Sequence, residues 1–103
     1  MNYIYLIQSL NDSYYKIGVS KNPNLRILHL STGNPSPMKL IDAYPSELSY
    51  KIEKVLHRKY EYLRIKDKEW FELSIKEEMS FMETCHQIEK TITELKKTGN
   101  PFI

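Results

Sequence analysis

Cysteine is nearly absent from this chain of 103 residues, because Cys85 is the only one. A single cysteine excludes an internal disulfide and a zinc site built from several thiolates. No apolar run approaches the roughly 18 residues of a membrane span, and the N-terminus lacks the basic region of a signal peptide. Internal repeats and low-complexity segments are also lacking. We therefore expect a cytoplasmic protein that has no membrane association.

The composition is that of one globular domain. Hydrophobic residues make up 41% of the chain and charged residues 27%, which argues against disorder. The net charge of +2 is unevenly distributed: residues 1–68 carry 11 Lys and Arg against 6 Asp and Glu, whereas residues 69–103 carry 4 against 7. The first two thirds of the chain is therefore where a polyanion would bind, if the protein binds one. From the counts alone, the favoured interpretation is that these cations are scattered over a solvated surface.

A β-hairpin is predicted near the start of the chain. Residues 3–9 and 14–20 are rich in β-branched and aromatic side chains, and a turn-forming segment separates them. Successive side chains of a strand point to opposite faces, so each strand divides by parity. One face is predicted to join the core and carries Ile4, Leu6, Tyr15, Ile17 and Val19. The other is predicted to bring the Tyr5 phenol near the Lys16 ammonium, with Gly18 leaving space beside it.

A helix is predicted directly after the hairpin. Asn22 is suited to the N-cap and Pro23 to the first helical position. Leu25 and Leu28 are expected to face the core, with Ile27 as a further candidate, and Gly33 is expected to end the helix.

The middle of the chain predicts a third strand at 38–44 and a second helix from the N-cap Ser46 to about Leu63. A short strand is predicted at 69–73. The resulting order, ββαβαβα, predicts an α+β fold in which a small mixed or antiparallel β-sheet is flanked by helices.

The last third of the chain predicts one long helix. Ser74 and Glu77 have the spacing of a capping box, and apolar residues recur every three or four positions from Ile75 to Leu95. We expect this stripe to dock on the sheet. About 25 residues would span roughly 37 Å at 1.5 Å per residue, which exceeds the width of so small a sheet. The excess is expected to pack against a second copy, giving a homodimer.

Several short motifs resemble those of GIY-YIG nucleases. Residues 3–5 resemble the "GIY" segment, and Lys16-Ile17-Gly18 resembles the "YIG" segment in the "KIG" form of phage and bacterial members. Residues 32–35 are similar to the "TG-x-P" loop of that branch, and residues 69–71 are similar to its late "EWF" strand. Together the motifs cover residues 3–73, in the order and spacing of the family.

The resemblance implies a single domain, in which residues 1–73 form the GIY-YIG-like nuclease part and the helix at 74–103 packs on it. The chain departs from the family pattern at four points. Tyr3 replaces the first-motif glycine, Lys16 replaces the second-motif tyrosine, and Leu30 stands where many members have His or Tyr. The asparagine that usually follows the metal-binding glutamate has no clear match, and Glu69 occupies roughly that region instead.

The resemblance further implies a Mg²⁺-dependent (or Mn²⁺-dependent) endonuclease that hydrolyses phosphodiester bonds in DNA. Tyr5 would act as the general base, and Lys16 as its activator or as a phosphate contact. Arg26 would stabilise the transition state through a guanidinium matched to phosphate oxygens, and Glu53 would bind the metal ion. His57 lies four residues after Glu53, on the same helical face, and would orient the attacking water or shuttle a proton.

Two other functions stay open on the sequence. The departures from the family pattern favour a catalytically inactive domain of the same fold that binds nucleic acid without cutting it. The acidic C-terminal helix suits a protein-interaction module. RNA stays open as a substrate beside DNA.

Overall fold

A four-stranded antiparallel sheet forms the centre of the computed structural model, which describes residues 1–32, 36–65 and 70–99. The strands are β1 (Asn2–Ser9), β2 (Tyr14–Ser20), β3 (Met38–Ser46) and β4 (Trp70–Phe71), in the spatial order β3-β1-β2-β4. The helices are α1 (Pro23–Ser31), α2 (Ser49–Lys59), α3 (Ile75–Met79) and α4 (Phe81–Lys97), with a 3₁₀ turn at Glu61–Leu63. The predicted α+β class with a helix-flanked sheet is confirmed.

The hairpin has the faces that the alternation predicts. Leu6 pairs with Ile17 and Ile4 pairs with Val19 across β1 and β2, and directly opposed residues share one face of a sheet. This face packs on the side chains of α2 and α4. The resulting core contains Ile4, Leu6, Ile17, Ile52, Leu56, Phe71, Phe81, Cys85 and Ile92.

The opposite face of the sheet is covered by α1. This helix packs against β1, β2 and β3, and no described residue of it belongs to the core cluster under α2 and α4. Tyr5 and Ile7 are nevertheless buried, and both lie on the face turned away from that cluster. The sheet therefore has a small second core on the side of α1.

The start of α1 is confirmed, because the Oδ1 atom of Asn22 accepts a hydrogen bond of 3.1 Å from the backbone N–H of Leu25. The predicted inner face is wrong for Leu25 and Leu28. Leu25 and Leu28 are exposed, whereas Pro23 is buried and Ile27 and Leu30 are half-buried. Positions 23, 27 and 30 lie on one helical stripe. Because Pro23 packs against the sheet at the first helical position, it fixes a rotation that turns both leucines outward. The predicted end of this helix at Gly33 lies outside the described residues.

The second helix is shorter than predicted at both ends. It begins at Ser49, with Leu48 at the N-cap position, and gives way to the 3₁₀ turn after Lys59. Strand β3 extends to Ser46, and the Oγ atom of Ser46 accepts a hydrogen bond of 2.9 Å from the N–H of Leu48. The predicted N-cap therefore satisfies a backbone group just before the helix instead of capping it.

The long C-terminal helix is divided in two. Its predicted capping box is confirmed, since Ser74 and Glu77 each accept a hydrogen bond from the backbone N–H of the other. The helix breaks at Ser80, and the break turns Phe81 into the core while Ile75 and Met79 stay exposed. The prediction that the whole stripe docks on the sheet is therefore wrong for α3. The predicted homodimer stays a prediction.

Two tyrosine–carboxylate pairs fasten the C-terminal helices to the sheet. The hydroxyl of Tyr15 donates to Glu78 at 2.7 Å, and the hydroxyl of Tyr44 donates to Glu89 at 2.8 Å. Burial, followed by the neighbouring carboxylate, raises the pKa of each tyrosine to about 12. Both phenols thus stay protonated and donate over the whole neutral range.

The carboxyl group of Asp42 makes the stability of the fold depend on pH. Burial raises the pKa of Asp42, and the nearby Glu78 carboxylate raises it further. A carboxyl with a raised pKa in the folded state stabilises that state below its unfolded pKa of about 4, and this stabilisation is lost as the pH rises through the folded pKa.

We therefore expect Asp42→Asn to raise the urea midpoint of unfolding at about pH 7 and to lose this advantage at about pH 3. The exposed turn variant Asp12→Asn is the matched control and should change the midpoint little at either pH. An Asp42→Asn variant that is destabilised at neutral pH would contradict the account.

Candidate active site

The predicted site begins on the hairpin face that is turned toward α1. Tyr5 pairs with Gly18, and Ile7 pairs with Lys16. All four residues therefore lie on one face, with Tyr5 and Lys16 as diagonal neighbours. The predicted placement of the phenol and the ammonium on one face is confirmed.

The phenol of Tyr5 lies directly over Gly18. A Cβ atom added to Gly18 would come within 2.3 Å of the Tyr5 hydroxyl oxygen and within 2.5 Å of the ring carbon that bears it. No side chain fits into that space without moving the ring. Glycine is therefore required here for close approach, and the Tyr5 residue is 2% exposed.

Lys16 is buried beside this pair, at 4% exposure. Its Nζ atom lies 5.8 Å from the centroid of the Trp70 ring, which belongs to the opposing residue of β4. Lysine is among the residues that are least often buried in proteins, and an aromatic face attracts its ammonium. Lys16 is thus a buried lysine packed against an aromatic ring, not a solvated residue at the edge of the sheet.

Arg26 lies on α1 at the border between the buried stripe and solvent. At 100° per residue, its position is about 60° from the middle of the stripe formed by Pro23, Ile27 and Leu30. The side chain is exposed, so the guanidinium is available to a ligand that approaches the rim of the sheet. His29 is exposed and Leu30 is half-buried.

Glu53 and His57 lie on the flank of α2 that borders β2. The Nε2 atom of His57 lies 2.8 Å from the carbonyl oxygen of Ile17, and its ring packs 5.3 Å from the ring of Phe71. A carbonyl oxygen can only accept, so Nε2 carries the proton and donates. His57 thereby fastens α2 to the strand that carries Lys16. Glu53 is half-buried one turn earlier in the helix.

The chain direction brings the starts of α1 and α2 to the same end of the sheet. Ser46, at the end of β3, pairs with Asn2, and the next residue, Tyr3, pairs with Ser20 at the end of β2. Helix α1 follows β2 at this end, and α2 follows β3. Glu53 lies closer to this end than His57 does, because it precedes His57 in α2. The pair of Tyr5 and Gly18 lies two residues along β1 and β2 from the same end.

Among the described residues, the candidate site offers a divalent ion few protein ligands. Across residues 1–32, 36–65 and 70–99, no three His, Cys, Asp or Glu side chains lie close enough to hold a metal ion together. Mg²⁺ commonly takes one or two carboxylates and completes its octahedron with waters and substrate oxygens. The carboxylate of Glu53 as a protein ligand fits that ion and does not fit a metal that needs a full protein cage.

Two features of the site lay beyond the sequence argument. The packing of Trp70 against Lys16 depends on the pairing of β4 with β2, which local patterns do not specify. The burial of Tyr5 depends on α1 closing over its face. Glu69, which the sequence places near the site, lies outside the described residues.

The match to a known domain family covers nearly the whole chain. Residues 2–96 match the T5orf172 domain. The protein is therefore a small α+β protein whose buried tyrosine and lysine share one hairpin face, and it belongs to the T5orf172 domain family. No curated protein and no solved structure matches it. Within the described parts of the chain, no helix is both long and apolar enough to cross a membrane.

The contact between Tyr5 and Gly18 can be tested by a double-mutant cycle. Gly18→Ala should lower the free energy of unfolding by about 1–3 kcal/mol, because the new methyl group overpacks against the phenol. In a Tyr5→Leu background, which removes the contacting ring atoms, the same change should cost less than about 1 kcal/mol. Urea unfolding measures both values.

Gly99→Ala is the control for this cycle. Gly99 has a φ of +74° and open space around its Cα atom, so its cost comes from the backbone and should be equal in both backgrounds. Equal costs for Gly18→Ala in the two backgrounds would show that the phenol does not require the glycine.

Proposed function

We propose that this protein is a metal-dependent endonuclease that hydrolyses phosphodiester bonds in DNA. The observation that carries the proposal is the pairing of Tyr5 with Gly18 on the face that also buries Lys16. Burying the charge of a lysine costs free energy. Such an arrangement, next to a tyrosine that packs closely on a glycine, is more typical of a functional site than of a purely structural face. The resemblance of residues 3–73 to GIY-YIG nucleases supports the same function.

Tyr5 is the general base in this proposal. It accepts a proton from the attacking water in its phenolate form. The ammonium of Lys16 lies on the same face of the sheet and supplies a positive charge on the side of the phenol. Lys16 therefore acts on Tyr5 and takes the role that a second tyrosine has in the family pattern.

Arg26 and Glu53 bind the phosphate and the metal ion. The exposed guanidinium of Arg26 binds the non-bridging phosphate oxygens and stabilises the charge that builds on them. Glu53 would hold Mg²⁺ or Mn²⁺, which when bound supplies positive charge to the phosphate and activates water. His57 keeps Glu53 in position, because its Nε2–H bond to Ile17 fixes α2 against β2.

Membership of the T5orf172 domain family is consistent with a nucleic-acid-related, nuclease-like role. The charge distribution agrees, since residues 1–68 hold 11 of the 15 basic residues. DNA is the substrate that the resemblance implies, and RNA is the natural comparison in the assay.

A second function, nucleic-acid binding without cleavage, is favoured by one observation. Tyr5 is 2% exposed, so water and substrate reach the phenol only after a local rearrangement. A domain that has lost catalysis would keep the basic surface and the fold.

Plasmid nicking with Mg²⁺ tests the catalytic assignment. Tyr5→Phe should reduce the nicking rate roughly 10²–10⁴-fold, which is the usual effect of losing a general base. Arg26→Ala should reduce it roughly 10²–10³-fold, as expected for one charge-stabilising group. Glu53→Gln should reduce cleavage to the level seen with EDTA.

Matched variants control for folding and charge. Tyr14→Phe removes a hydroxyl at the far end of the hairpin, and Glu47→Gln removes a carboxylate from an exposed position; both should cleave like the wild type. Wild-type cleavage that persists undiminished in Glu53→Gln and Arg26→Ala would contradict the site. DNA binding without any Mg²⁺-dependent cleavage would favour the second function.

A further inference from the structure

A cleft of about 930 Å³ opens between α2 and α4, and it is distinct from the hairpin site. It lies on the flank of α2 opposite to His57, because its floor includes Val55, Ile88 and Ile92 of the two facing helices. The wall formed by α2 carries four cations: Lys51, Lys54, Arg58 and Lys59.

The cations far outnumber the acids of this cleft. Glu83 is the one carboxylate among its described lining residues. A further cation lies close by on α4: the pKa of Lys51 is lowered by loss of solvent contact and by the nearby Lys96. Like charges three or four residues apart on a helix destabilise it by about 0.2–0.5 kcal/mol per pair. The row at 51, 54 and 58 has this spacing, so a bound anion would relieve its repulsion.

The wall formed by α4 adds neutral hydrogen-bonding groups. Thr84, Gln87 and Thr91 line it, opposite the cations. Hydroxyl and amide side chains, together with Lys and Arg, are the groups that contact phosphate and sugar in nucleic-acid complexes. The basic row from Lys51 to Lys59 extends about 12 Å at 1.5 Å per residue, which is long enough for more than one phosphate of a strand.

We propose that this cleft is an accessory binding site for the sugar-phosphate backbone of nucleic acid. The inference rests on the proposed nucleic-acid function and adds to it a second contact surface, on the other flank of the helix that carries Glu53. Lys54 and Arg58 are exposed on the outer surface of α2, between the two flanks.

The competing occupant is an acidic amphipathic helix of another protein. The composition of the cleft favours nucleic acid, because seven of its twelve described lining residues are cations or neutral hydrogen-bonding residues and only four are apolar. A groove that binds an amphipathic helix receives the apolar anchors of that helix and is mainly hydrophobic. A row of cations facing hydroxyls supplies charge and hydrogen bonds rather than such anchor pockets.

The site is tested by measuring how the binding of a short mixed-sequence DNA duplex depends on salt. Binding is measured by fluorescence anisotropy in the absence of divalent ions. Log K falls linearly with log salt, and each phosphate contact adds about 0.9 to the steepness of this fall. The double variant Lys54→Glu/Arg58→Glu should therefore reduce the steepness by roughly 2 between about 50 and 200 mM salt. The control Lys76→Glu/Lys90→Glu changes the net charge equally at exposed positions outside the cleft, and it should reduce the steepness by less than about 0.5.

Equal effects of the two double variants would overturn the accessory site while leaving the proposed function intact. Wild-type protein that binds no DNA would remove both. Amide NMR spectra localise the contact: titration with the duplex should shift Ile88 and Thr91 in the cleft. If a synthetic acidic amphipathic peptide shifts these amides and DNA does not, the cleft is a protein-binding site and the inference is wrong.

Discussion

The close contact between the Tyr5 phenol and Gly18 is the constraint on which the candidate site depends. It fixes the phenol over β2, and it is possible only because position 18 has no side chain. In the same register, Lys16 lies two residues before Gly18, on the same face of β2, and its ammonium packs against the Trp70 ring. From the other side of the strand, His57 bonds to the carbonyl of Ile17. Strand β2 is thus held from both sides at three successive residues, 16 to 18.

The elements that follow strict alternation could be predicted from the sequence. Side chains alternate between the two faces of a strand, so a shift of one residue in the assignment would exchange the faces. The hydrophobic pattern of the hairpin permits only one of the two assignments. The faces of Tyr5, Lys16 and Ile17 follow from this rule alone. Helix starts were predictable where a side chain can cap the backbone, as at Asn22 and Ser74.

The rotation of the helices could not be predicted in the same way. In α1, two stripes of similar hydrophobicity compete, and the packing of Pro23 against the sheet selects the one without Leu25 and Leu28. In the C-terminal segment, a continuous apolar period hides the break at Ser80 that buries Phe81. The site residues on strands were accordingly easier to orient from the sequence than those on helices. The hydrophobic pattern of α2 does not fix the orientation of Glu53. The hydrogen bond from His57 to the carbonyl oxygen of Ile17 does so, because it holds α2 against β2.

The central proposal is that Glu53 binds a metal ion at the end of the sheet near Tyr5 and Gly18, although its helix packs on the opposite face of the sheet. Paramagnetic Mn²⁺, added in small amounts to the isotope-labelled protein, broadens amide signals close to the ion. The account predicts selective loss of the signals of Tyr5, Gly18 and Glu53 in the wild type, and their return in Glu53→Gln. Signals that stay sharp at these residues, or broadening centred instead on the carboxylates of Asp42, Glu78 and Glu89, would contradict it.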